Sequence, residues 1–260
     1  MEDWYQSAVQ NFESYVEGFS ELTPDQQKNF DIKKDHSLRV AANAKYLATA
    51  LNLEQDDEQV VVIAAVFHDI GRFRQMAEFN TLDDGTSLNH AELSVEILKE
   101  RDFLKELIEE QQNLVYNSIV HHNKTELPRN ISGRELLHAR LLRDADKLDI
   151  LKVLTRYYND KNQPANHMLT WELPPSSKVS PGVLKEIMAG KIVTRKEVKN
   201  EADVKIMQLS WVYDINFKST MELILRNRYL DSIYNSLPKN DQVFEIYRKV
   251  KVFAENKMLE

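Results

Sequence analysis

EQDDEQVVVIAAVFHDIGRF, residues 54–73, carries more structural information than any other stretch of this chain. It opens with acidic residues, continues as an unbroken apolar run from Val60 to Phe67, and ends in a histidine and an aspartate just before a glycine. VVVI alone suits a strand. The length, and acids placed where they complement a helix macrodipole, predict instead a buried helix that stops at Gly71, the usual residue just past a helix C-terminus. A helix that finishes on two polar side chains marks either a surface turn or a metal site. His68 and Asp69 differ by about 100° around a helix, so both reach one ion only where the backbone turns away.

Outward from this stretch the pattern stays helical. Trp4, Ala8, Phe12, Tyr15 and Phe19 recur at helical spacing, and TPDQQ at 23–27 offers an N-cap threonine followed by proline at the first helical position. DHSLRVAANAKYLATALNL has an apolar stripe at three to four residues, with Asp35 placed to cap it. NTLDDGTSLN (80–89) reads as a loop, with Asn89 capping the helix that follows. NLVYNSIVHHNK ends another helix before the loop LPRNISG, and Arg134 to about Tyr158 forms a long one. Residues 159–181 break the pattern as a lid, a specificity loop or a boundary, and the last eighty residues return to helix. This divides the chain into a core over 1–158 and a second part over 159–260 whose helices are expected to pack on it.

Six glycines and seven prolines in 260 residues are well below average usage of about 7% and 5%, so the punctuation that many short strands need is scarce. The expected fold class is all-α. A net charge of −7 gives no general attraction to nucleic acid polymers or anionic membranes. With no cysteine, any metal must be held by His, Asp and Glu. The N-terminus MEDWYQSAVQ lacks the apolar core of a secretory signal, and VVVIAAVF falls far short of the ~20 residues of a membrane span. A soluble cytoplasmic protein, monomeric or homodimeric, is the expectation.

Five of the seven histidines, His36, His68, His90, His121 and His122, fall near helix ends, and Asp69 and Asp146 join them. A single helical histidine is more often a core or capping residue than a ligand. The joint order, each polar group on a separate helix, is what points to metal. Imidazoles and carboxylates suit Mn, Fe, Co, Ni or Zn better than Mg. His138, turned about 80° from Asp146, reads as structural. His167 and Trp171 read as loop surface and packing anchor.

The ordered set His36 in DHSLRVA, His68 and Asp69 in VFHDIG, and Asp146 in RDADKLDIL resembles the HD superfamily of metal-dependent phosphohydrolases over roughly residues 30–155. His90 in NHAELSVEIL and His121/His122 in IVHHNK match the branch that binds two metals. The resemblance implies an HD-like helical bundle with extra C-terminal helices. It also implies a first ion on His36, His68, Asp69 and Asp146, and a second on His90, His121 and His122 with Asp69 bridging, so one or two divalent transition-metal ions as cofactor. The chain departs from several branches. It lacks the acids after the HD pair found in members that open guanosine tetraphosphate, the HHE and GYP of cyclic di-GMP phosphodiesterases, and the Glu three residues beyond the HD aspartate of a 5′-nucleotidase branch. Many two-metal members read HDIGK where this chain has HDIGR, so Arg72 looks like a substitute for a phosphate-contacting lysine.

The expected chemistry is hydrolysis of a small phosphomonoester or phosphodiester, a nucleotide by family resemblance. In it a metal-activated hydroxide attacks phosphorus on the Asp69-bridged centre, Arg72 and Lys147 bind the substrate's phosphoryl oxygens, and Asp149 orients a ligand or takes a proton; the alternative for Lys147 and Asp149 is a solvated helix surface. Two other readings share the ligands: a di-iron oxygenase acting on a polyol or phosphonate, and a sensor that keeps a metal for structure.

Overall fold

The computed structural model describes residues 3–160, 171 and 173–259; all regular elements among them are helices. They divide into two compact units, residues 1–149 and 150–260. The expectations for 161–170, His167 among them, lie outside the described residues.

The first unit holds α1 (Asp3–Glu17), α2 (Pro24–Ala50), α3 (Gln55–Phe67), α4 (Gly71–Phe79), α5 (His90–Glu100), α6 (Glu109–His122) and most of α7 (Gly133–Asn159). Thr23 and Gln26 close a reciprocal capping box ahead of Pro24 and start α2 as the sequence suggests. The helix then runs unbroken to Ala50, so Asp35 is an exposed residue in its middle and not a cap. Every residue of α3 from Val60 to Phe67 is buried, which is the meaning of an apolar run without a polar face. Helices α1, α2 and α6 pack around it. An aromatic cluster fills one side, with Phe12 edge-on to Phe67 and Phe73, Phe30 edge-on to Phe73, and Phe67 stacked on Phe103 at 5.6 Å.

Gly71 departs from its expected role. Helix α3 ends at Phe67, the backbone turns through His68–Ile70, and Gly71 begins α4 without a positive φ. Its requirement is proximity. A Cβ here would stand 2.3 Å from the His90 carbonyl oxygen and 2.8 Å from the Ser94 amide nitrogen. The absence of a side chain lets the start of α5 lie against the turn that carries His68 and Asp69. Ser94 fastens the approach: its Oγ accepts from the Gly71 amide at 2.9 Å, and its hydroxyl proton is within reach of the His68 and His90 carbonyls at 2.9 and 2.8 Å.

The second unit holds the last turns of α7, then α8 (Pro181–Met188), α9 (Glu201–Ser210), α10 (Lys218–Arg226), α11 (Tyr229–Asn235) and α12 (Asp241–Lys257). Asn200 and Asn240 cap α9 and α12 through their side-chain oxygens. Buried Asp203 gathers the Ser180 and Lys199 amides, the Ser180 hydroxyl and the Asn200 amide group, which satisfies the carboxylate and ties α8 to α9. Trp171 has the Arg195 guanidinium over its ring at 4.9 Å. No helix among the described residues is long and apolar enough to cross a membrane.

Candidate metal centre

Five elements of the first unit deliver side chains to one place. His36 comes from the middle of α2, and His68 and Asp69 from the turn after α3. His90 is the first residue of α5, fixed by Asn89 capping the Ala91 and Glu92 amides. His122 is the last residue of α6, and Asp146 and Asp149 lie one turn apart on α7. Ligand atoms of His36, His68 and Asp146 lie within 4.8 Å of one another, as do those of His68, Asp69 and His122.

Asp69 stands between two pairs of imidazoles. Its Oδ2 is 3.7 Å from both His36 Nε2 and His68 Nε2. Its Oδ1 is 3.3 Å from His90 Nε2 and 3.8 Å from His122 Nε2. Within each pair the Nε2 atoms face each other, at 3.3 Å for His36 and His68 and at 3.1 Å for His90 and His122. Asp146 Oδ1 closes the first group 3.2 Å from His36 Nε2; it is buried and makes no directed hydrogen bond.

The protons of these rings are assigned by their other nitrogens. His68 Nδ1 lies 2.8 Å from the Ala65 carbonyl and His122 Nδ1 lies 2.7 Å from the Ile119 carbonyl. A carbonyl only accepts, so both Nδ1 atoms donate and both Nε2 atoms present lone pairs. His36 Nδ1 faces the Asp149 carboxylate and His90 Nδ1 the Asp84 carboxylate, each at 2.7 Å. Burial holds His68 below its ordinary pKa and pushes His122 down to about 3, so these two rings stay neutral. Burial also opposes charge on His36, but the Asp146 and Asp149 carboxylates outweigh it and raise its pKa.

The carboxylates are ionised for the complementary reason. Burial alone would raise Asp69; the Lys33 ammonium, His68, His90 and Arg72 outweigh it and hold the group well below the carboxylate range. Asp146 and Asp84 are lowered against burial by their histidine partners. Lone pairs and negative oxygens therefore point at one another from five elements, and the partner that suits all of them is a cation. The donor set fits a divalent metal ion, through His36, His68 and Asp146 or through His68, Asp69 and His122.

The structure does not use every residue the sequence singles out. His121 is half-buried and belongs to neither group of convergent ligand atoms, because the next position along α6 diverges by about 100°; its Nδ1 is buried without a partner. Arg72 Nη1 donates to Asp84 Oδ1, to Gln75 Oε1 and to the Leu82 carbonyl, and its Nε faces Asp69 Oδ1 at 3.7 Å. Lys147 is half-buried beside Asp146 on α7. Asp149, fully buried, accepts from Arg39 Nε and Nη2 at 2.6 and 3.0 Å while it holds His36. His138 is structural, bound at Nε2 to Asp57 at 2.9 Å.

Four contributors escape the sequence. Lys33 Nζ lies 2.8 Å from Asp69 Oδ2, and Arg39 supports Asp149. Asp84 supports His90, and buried Arg143 donates to the His121, His122 and Lys124 carbonyls at the end of α6. Lys33, His36 and Arg39 are three residues apart on one helix face, a spacing that marks them as neighbours once His36 is recognised as a ligand.

A family model described as the HD domain matches residues 34–151. No curated protein and no solved structure matches the chain.

Proposed function

The chain carries an HD domain over residues 34–151, and from that premise we propose that it hydrolyses a phosphomonoester or phosphodiester of a small molecule, with a nucleotide as the favoured substrate. The observation that carries the reading is the pair of facing imidazole couples, one at each oxygen of Asp69. Divalent transition-metal ions held there supply Lewis acidity that activates water and neutralises phosphoryl oxygens.

The protein's own residues set up the rest. His36, His68 and Asp146 hold the first ion, His90 and His122 the second, and Asp69 is shared. Asp149 is a positioning residue: by accepting from His36 Nδ1 it keeps that ring's Nε2 free as a ligand. Lys33 is 21% exposed at the Asp69 carboxylate, where its ammonium can meet a phosphoryl oxygen that approaches from solvent. Lys147 is a second substrate-side cation.

The test is elemental analysis, ester hydrolysis on a nucleotide panel (phosphate release from monoesters, monoester formation from diesters), and oxygen uptake on polyols and phosphonates, all on one preparation. The expected result is ester hydrolysis that a chelator abolishes and Mn²⁺ restores, lost in Asp69→Asn. Metal-loaded protein that hydrolyses no ester but consumes oxygen with a polyol or phosphonate would replace this reading with the oxygenase one.

A further inference from the structure

The two imidazole pairs are wired alike. In each, the inner ring donates Nδ1 to the carbonyl three residues before it, His68 to Ala65 and His122 to Ile119. The outer ring faces a carboxylate that is held by an arginine: His36 with Asp149 and Arg39, His90 with Asp84 and Arg72. The supports differ in firmness. Asp149 lies inside α7, its side chain is 1% exposed, and Arg39 grips it with two nitrogens. Asp84 lies in the connection between α4 and α5, its side chain is 30% exposed, and Arg72 reaches it with Nη1 alone, helped by Gln75 Nε2 at 3.1 Å and Asn123 Nδ2 at 3.3 Å.

We infer that Arg72 is a positioning residue for the second ion, acting through Asp84 on His90, and not a ligand of the substrate phosphate. Its Nη1 is engaged by three acceptors on the protein, and the side chain is only 15% exposed. Its Nε, buried and without a hydrogen-bond partner, faces the Asp69 oxygen that looks toward His90 and His122. The guanidinium thus contacts the support of one second-ion ligand and stands behind another. With a looser carboxylate and no counterpart of Asp146, the second ion is the weaker of the two, and the 80–89 connection sets its occupancy.

This inference rests on the two-ion reading above, and the measurement separates their failures. Calorimetric titration of chelator-stripped protein with Mn²⁺ is expected to show two unequal sites in the natural sequence. In Asp84→Asn and Arg72→Gln the weaker site should lose affinity by about 10–100-fold while the tighter one is unchanged, and Arg72→Lys should recover part of the loss. The retained tight site reports that the variants are folded. At saturating Mn²⁺ the KM of Arg72→Gln for a phosphate ester should match that of the natural protein. A protein that binds no Mn²⁺ overturns the metal centre itself. Two intact sites in both variants, with KM raised at least tenfold in Arg72→Gln, would overturn only the inference and make Arg72 a phosphate ligand.

Discussion

His36 Nε2 and His68 Nε2 stand 3.3 Å apart, with the outer nitrogen of each ring turned to a carboxylate or carbonyl acceptor. Convergent imidazole nitrogens beside ionised carboxylates suit a cation between them, and His90 and His122 repeat the arrangement. The consequences for ligand removal differ by position. His36→Ala should cost one equivalent of bound metal and His122→Ala the other, while Asp69→Asn, which changes the residue between the pairs, should weaken both. Elemental analysis after desalting reads the stoichiometry, and two full equivalents in Asp69→Asn would sink the shared role of that carboxylate.

Stripping the metal should also lower thermal stability. An ion that binds only the folded protein contributes about 2.7 kcal/mol at a hundredfold excess over its Kd, which corresponds to roughly 5–10 °C in Tm for a chain of this size. Melts with chelator and with Mn²⁺ make the comparison, and coincident curves would argue against a site built from these residues.

Gly71→Ala is expected to be severe for so small a change. The added methyl would meet two backbone atoms, the His90 oxygen and the Ser94 nitrogen, which cannot rotate away. A cost of about 3 kcal/mol follows for such overpacking, or roughly 6–12 °C in Tm. Because the displaced element begins with His90, the weaker Mn²⁺ site should be lost in protein that still folds. A variant with unchanged melting and both sites would show that α5 can shift freely.

Asp57 and His138, away from the metal centre, make stability fall toward acid. Burial tends to raise Asp57, but Arg134 and His138 lower it; this contribution is fully present above the unfolded value near ~4 and is lost below it, as pH falls toward the lower folded value. Burial lowers His138 against the pull of Asp57, so below about pH 6.5 the unfolded chain takes up a proton that the folded protein does not. Both signs agree. Between pH 7 and 5 the metal-free protein should lose Tm, and His138→Asn should lose less per pH step. Equal slopes would remove His138 from the account.

The helical class was legible because the α3 segment joins an acidic first turn to its apolar run over 13 residues, longer than most strands, and because Thr23, Pro24 and Asn89 sit where caps belong. The candidate ligands were legible as an ordered set of residue types that few other chemistries require. Their supports were not. Asp84 follows Asp83 in LDDG and reads as turn chemistry, and Asp83 does make that turn by accepting from the Gly85 amide; only the coordinates separate the two aspartates. Lys33 lies in IKKDH, where neighbouring charges read as a solvated face. Gly71 was misread because sequence identifies a glycine without saying whether it serves a backbone angle or a close approach. His121 and His122 are adjacent letters, and the helix rotation that separates them depends on where α6 ends.

The apolar wrapping of α3 has a kinetic corollary. A helix buried on every side does not fray, and His68 follows it directly with its ring pinned to the Ala65 carbonyl. Neither an arriving ion nor a departing one is therefore accommodated by motion at His68. Firmness is thus uneven across the centre, greatest at His68 and least at His90, whose bracing Asp84 is 30% exposed in the 80–89 connection.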